Sequence, residues 1–239
     1  MIPKEIPEQN NMLFIHGGEY EEKILCQYSL FDLDNEMWVP VATNKFVPQL
    51  KAHAITHIHD PLKKEFYLIL SGGFYREHLS NCEAETNKQK EKCICPTELV
   101  NDKFYSFRNN EFIQIQQKPL HKDDLSEKLK RFGHATLTAS DGSFYMIGGF
   151  CQYIGYLIDI IQFKPKLDIK NKTFYFESQF VDVGKNIPGR VYPTCQIIHD
   201  NIIVYGGLKD DRSLNDLWVI NLKNLSSKVI TMIPSSSHF

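Results

Sequence analysis

Four Gly-Gly pairs punctuate the chain, each closing a short run of β-branched and aromatic residues: MLFIHGG (Gly17, Gly18), FYLILSGG (Gly72, Gly73), FYMIGG (Gly148, Gly149) and NIIVYGG (Gly206, Gly207). The first glycines stand at 17, 72, 148 and 206, hence 55, 76 and 58 residues apart. A supersecondary unit recurring at roughly 50 residues points to a solenoid or a propeller and not to one non-repeating core. It constrains architecture far more than activity, because propellers host many unrelated functions.

Around each pair the pattern is that of strands, with period-2 apolar residues bounded by Gly, Asn and Asp. A strand follows each pair, at 27–33, 102–107, 156–163 and 215–222. A further one follows at 36–41, 111–115 and 173–181, and another precedes three of the pairs, at 52–59, 134–139 and 193–199. Tight turns such as Ser140-Asp141-Gly142 join the preceding strand to the glycine strand, and Asp-Gly there is a strong hairpin signal. Four antiparallel strands per unit make a propeller blade. The first unit begins at its glycine strand, with no convincing strand in residues 1–11.

The fourth unit runs VYGG, then a seven-residue loop, then NDLWVINL with Trp218. The second carries Asn101-Asp102 before FYSF, and the first keeps Asp32 and Trp38. The third keeps its glycines but has no aromatic at the place of Trp218, while Arg131 and Arg190 open the third and fourth units. On these residues the chain resembles the kelch-repeat family over nearly its whole length. The resemblance implies an all-β fold, a β-propeller of four-stranded antiparallel kelch blades. About four blades fall in this chain, near 12–43, 50–117, 131–183 and 190–232, within a single domain spanning 1–239. Four is the low limit for propellers, and the family commonly has roughly five to seven. The expectation is therefore an incomplete ring or part of a larger propeller. His238 stands as His134 does in the third unit, as if another blade were beginning. The alternative is a small ring closed by the C-terminal segment. An open ring exposes strand edges and favours a protein partner.

A Gly pair at a strand end supports positive φ and close backbone approach, so the eight glycines read as structural. Trp38 and Trp218 read as packing between blades. The segments after the glycine pairs and those entering each unit should share one rim. That rim would carry Tyr20, Glu21 and Glu22; Tyr75, Arg76 and Glu77; Arg131, Tyr153, Arg190 and Tyr192; and Lys209, Asp210, Asp211 and Arg212. Tyr and Arg amid mixed charge resemble a protein-recognition surface. Of these, Tyr20, Glu22, Tyr75, Arg76, Arg131, Tyr153, Arg190, Tyr192, Asp211 and Arg212 are the candidate partner contacts.

The second unit departs from the repeat. Between its glycines and its next strand stand 27 residues, Phe74 to Val100, where the fourth unit uses seven. Long loops on a rigid scaffold often carry recognition. The insertion holds His78, Cys82, Cys93 and Cys95, three thiolates and an imidazole of the kind that bind tetrahedral zinc. The usual two-residue spacing within ligand pairs is missing, and a disulfide from Cys82 or plain free thiols are the competing readings. His53, His57 and His59 alternate along one strand and form a weaker metal candidate, with His53 reading as the structural equivalent of His134. No cofactor is assigned beyond this zinc candidate.

Composition narrows the remaining classes. Net charge is −2, from 27 basic and 29 acidic residues with no long basic run, which argues against nucleic acid. No apolar stretch approaches the roughly 20 residues of a membrane span, and the N-terminus has no secretory h-region. Six unevenly spaced cysteines do not make a disulfide scaffold, so a reducing, cytoplasmic setting is expected. There is no Gly-x-Ser-x-Gly elbow, no phosphate-cradling loop and no converging acid–histidine pattern. Some kelch-like propellers are enzymes, among them copper oxidases and a sialic-acid epimerase, but their site residues have no counterparts here. The expected function is a non-catalytic adaptor or scaffold that binds a protein through the loop rim. The alternatives are a structural subunit of a large cytoskeletal or organellar assembly, within a multi-subunit complex, and a propeller enzyme with a metal site.

Overall fold

The computed structural model describes residues 11–41, 46–59, 66–76, 98–119, 125–168, 173–183 and 187–230. The chain is all-β, arranged as four successive antiparallel sheets. Sheet I takes its strands from β1 (Met12–His16), β4 (Tyr28–Asp32) and β5 (Met37–Val39), with a small ribbon, β2 (Glu19–Tyr20) and β3 (Lys23–Ile24), set between β1 and β4. Sheet II is built from β6 (Ala54–His59), β7 (Phe66–Ser71), β10 (Phe104–Arg108) and β11 (Glu111–Ile115), with the ribbon β8 (Phe74–Arg76) and β9 (Glu98–Val100). The chain then gives β12 (Gln117–Pro119) and a single helical turn, α1 (Leu125–Leu129). Sheet III comprises β13 (Ala135–Thr138), β14 (Phe144–Ile147), β17 (Ile160–Asp168) and β18 (Thr173–Val181), with the ribbon β15 (Phe150–Cys151) and β16 (Gly155–Tyr156). Sheet IV comprises β19 (Thr194–Ile198), β20 (Asn201–Tyr205), β23 (Leu217–Asn221) and β24 (Ser226–Ile230), with the ribbon β21 (Leu208–Lys209) and β22 (Arg212–Ser213).

Local chemistry explains the turns. Asp32 Oδ1 accepts the backbone N–H of Asp34 and Asn35 at 2.9 and 3.0 Å, and Asn221 Oδ1 does the same for Lys223 and Asn224 at 3.0 and 3.1 Å. These Asx turns reverse the chain before the last strand of sheets I and IV. Sheet II turns instead on Asn109 and Asn110, both at positive φ (49° and 60°), the geometry that joins two strands by a two-residue turn.

The sheets pack face to face in chain order. One cluster joins I to II through Tyr28, Leu50, Leu70, Tyr105, Phe107 and Phe112. A second joins II to III through Ile58, Ile69, Phe104, Ile115, Phe144, Met146, Phe163 and Phe176. A third joins III to IV through Tyr145, Ile147, Ile160, Ile202, Val204, Trp218 and Ile220. Alternation along β14 makes this possible, since Phe144 and Met146 face sheet II while Tyr145 and Ile147 face sheet IV. Phe144 and Phe163 lie parallel with centroids 4.6 Å apart, and Phe176 meets Phe144 edge-on at 5.0 Å, so this core is an aromatic block.

Several elements differ from the sequence reading. The strand expected at 156–163 starts at Ile160, because Gly155 and Tyr156 are spent on the ribbon. Register shows that Asn101-Asp102 does not match Asn215-Asp216. Ser71 pairs with Phe104 as Tyr205 pairs with Leu217, so Lys103 stands at the place of Asp216 and Tyr105 at that of Trp218. Strand β12 pairs in parallel with β18, so the chain leaving sheet II adds a strand to sheet III. Trp38 is 57 % exposed and touches Phe31 at 5.1 Å, which corrects its assignment to packing between units, whereas Trp218 is buried and donates its indole N–H to Asp216 at 2.6 Å. Among the described residues no helix is long and apolar enough to cross a membrane.

Candidate interaction rim

Each of the first three glycine pairs works as a junction between consecutive sheets. The N–H of the second glycine donates to a carbonyl in the segment entering the next sheet: Gly18 to Leu50 (2.9 Å), Gly73 to Arg131 (2.9 Å) and Gly149 to Arg190 (2.8 Å). The chain then turns outward as a ribbon and comes back to the same junction, where Leu25, Asn101, Leu157 and Leu214 each return an N–H to the second glycine's carbonyl at 2.8–2.9 Å. Entering segments bridge to the ribbon bases at Lys51–Phe74, Phe132–Phe150 and Val191–Leu208. All four ribbons and the entering segments therefore occupy one rim.

Ribbons I and IV are tight turns whose central residues hold positive φ, Glu21 (46°) and Glu22 (60°), Asp210 (48°) and Asp211 (59°). Their tips present Tyr20 with two glutamates, and two aspartates followed by Arg212, all exposed. Tyr153 at the tip of ribbon III is 76 % exposed, and Tyr192 is also outward. The first three and last three residues of the 27-residue insertion form ribbon II, with Arg76 opposite Glu98 in the strand register. Tyr75 lines two clefts of about 190 and 200 Å³, one with Phe46, Gln49 and Lys103, the other with Asp102, Lys130 and Tyr153. Beneath the ribbons an aromatic band runs from Phe74 to Phe132 (4.2 Å), Phe150 (5.6 Å) and Tyr156 (5.1 Å), and the Lys51 ammonium holds Glu19 at 2.9 Å. A larger cleft of about 420 Å³ lies at the other end of sheet III, between the 140–143 turn and Lys164–Lys166.

Two expected rim contacts are not on the surface. Arg131 and Arg190 are 0 % exposed. Arg190 forms a forked pair with Asp216 (2.6 and 2.8 Å) and donates to the Gly206 carbonyl at 2.9 Å; Arg131 donates to Asp159 and to the Gly148 carbonyl, both at 2.8 Å. Both guanidiniums turn inward to an aspartate and a glycine carbonyl of their own sheets, as a buried cation requires a paired, hydrogen-bonded partner. The Arg190 guanidinium in turn holds the Asp216 carboxyl below the usual carboxylate range. In sheet II the corresponding residue is Leu50, which cannot donate. There Asn101 takes over, giving its amide to the Gly72 carbonyl at 3.0 Å, and Lys103 replaces the aspartate. The joint presence of Arg and Asp in units III and IV, and their joint absence in unit II, is the signal that marks these arginines as interior.

The junctions also hold a row of histidines. His16 and His53 meet at 3.1 Å, and one unit later Ser71 and His134 meet at 3.0 Å in the same arrangement. At the third junction the corresponding residues are Ile147 and Pro193, both apolar. His53 thus matches His134, while His57 is exposed. Burial pushes His16 down to about 4 and His53 and His134 to about 3. Among the described residues, no three His, Cys, Asp or Glu side chains come together as a metal site. His78, Cys82, Cys93 and Cys95 lie outside the described residues, and Cys26, Cys151 and Cys195 are free thiols. Neither a protein-family model nor a curated protein matches this chain.

Proposed function

We propose that the chain is a kelch-type β-propeller segment of four blades that acts without catalysis, as a cytoplasmic adaptor or scaffold gripping a protein partner through its ribbon rim. The observation that carries this reading is the repetition of one ribbon at one rim in all four units, on junctions braced by buried arginine, asparagine and histidine. Such a scaffold holds Tyr20, Tyr75, Tyr153, Tyr192 and Arg212 at fixed spacing, and interfaces favour Tyr and Arg because they bury much area at little entropic cost. A second reading, a structural subunit of a large cytoskeletal or organellar assembly, is favoured by the apolar outer faces of the first and last sheets.

Affinity capture with the full chain tests the rim. A partner recovered stoichiometrically by the parent and lost by the triple variant Tyr20→Ala, Tyr153→Ala, Arg212→Ala, with unchanged thermal unfolding, supports the proposal. Retention of that partner by the triple variant refutes it.

A further inference from the structure

The three internal sheet junctions share one register. Toward the preceding sheet, each glycine strand presents two alternate residues, and its neighbour presents the residue paired with the first of them. In sheet II these are Leu68, Leu70 and Phe107; in sheet III, Phe144, Met146 and Phe163; in sheet IV, Ile202, Val204 and Ile220. Eight of the nine are buried, and those of sheets III and IV are 0 % exposed. The same positions in sheet I are Leu13, Ile15 and Phe31. They are equally apolar, yet Leu13 is 47 % and Ile15 45 % exposed, with Trp38 beside them on the same face.

The opposite face behaves likewise. Toward the following sheet, sheet III presents Tyr145, Ile147 and Ile160, all buried. At those positions sheet IV presents Ile203, Tyr205 and Leu217, with Tyr205 41 % exposed and the other two half-buried. Each copy of the chain thus carries both halves of a junction that it already forms three times internally, one half at each end.

We propose that the outer face of sheet IV docks on the outer face of sheet I of a second copy, head to tail, repeating the internal junction. The second copy is the occupant because it brings the matching residues in the matching register, and because leaving these faces in water forgoes burial that every internal face achieves. The contact is heterologous, so it uses two different surfaces. It is separate from the ribbon rim and does not depend on what the rim binds.

The test is native mass spectrometry and sedimentation of the full chain across a dilution series. Two variants accompany it, Leu13→Glu/Ile15→Glu and Ile203→Glu/Tyr205→Glu, with circular dichroism to show that each folds. The parent is expected to associate at high concentration, each variant alone to stay monomeric, and an equimolar mixture of the two variants to recover a one-to-one dimer through the single junction left intact. A parent that is monomeric throughout, a variant that still associates alone, or a mixture that stays monomeric overturns the proposal. A measurement without variants runs in parallel: amide exchange in β1 and in β20 should slow together as concentration rises, and protection of only one of them contradicts head-to-tail docking.

Discussion

His16 and His134 are buried and His53 is half-buried, in places where an imidazolium is poorly solvated, and all three are neutral in the folded chain at neutral pH. Their folded pKa values, about 4, 3 and 3, lie below the ordinary 6.5. The unfolded chain therefore binds more protons than the folded one between those values. Stability from this source is full above pH 6.5 and is lost as pH falls below it, at about 1.4 kcal/mol per pH unit for each proton. Urea melts between pH 7.5 and 5 should show this slope, and His134→Gln should remove about one proton's worth of it; an unchanged slope contradicts the account. The histidines were legible as repeat positions, since His53 and His134 stand at matching places in their units. The burial of Arg131 and Arg190 was not, because an arginine beside Phe132 or Gly189 looks like any loop cation until its aspartate, 26 or 28 residues on, is brought beside it.

At the scale of the element, equivalent glycines of different pairs meet different neighbours. A Cβ on Gly149 would lie 2.8 Å from the Phe132 carbonyl of its own entering segment, whereas a Cβ on Gly18 would meet nothing within 4 Å. Their φ values are nearly equal, +98° and +97°. Replacing either by alanine costs about 1–2 kcal/mol for the left-handed backbone, and Gly149→Ala should cost about 1–3 kcal/mol more because the Phe132 carbonyl must be pushed aside. Equal losses in chemical denaturation would show that crowding against the entering segment is unimportant. The glycine strands were legible because long apolar runs ending in Gly-Gly leave little choice. The ribbons were not, since two-residue strands carry no periodicity, and missing them displaced the next strand of unit III. Strand β12 was hidden because a parallel addition to a sheet edge is decided by tertiary pairing and not by local pattern.

Across the whole molecule, position in the stack governs protection. All four residues of β14 are buried because sheet III has a sheet on either side, whereas β1 alternates between half-buried and exposed along most of its length. At dilutions where the chain is monomeric, amides of β14 should exchange far more slowly than those of β1, and Phe144→Ala should lose about 3–5 kcal/mol. Comparable exchange in both strands would mean that the sheets do not stabilise one another in series. The stacking order and the expectation of an incomplete ring lay in the repeat, whereas the exposure of the outer faces of sheets I and IV emerged only at matched register.

The exchange of Arg–Leu–Asp for Leu50, Asn101 and Lys103 in sheet II limits how such a unit can change over time. A fully buried guanidinium deprived of its carboxylate costs about 3–5 kcal/mol, while an aspartate left behind at the 17–24 % exposure of Asp159 and Asp216 keeps access to water. Along any mutational path between the two solutions, the arginine must be the last of the pair to arrive and the first to leave. The three positions are then inherited as one unit, and grafting a single member from one sheet into another amounts to walking that path out of order.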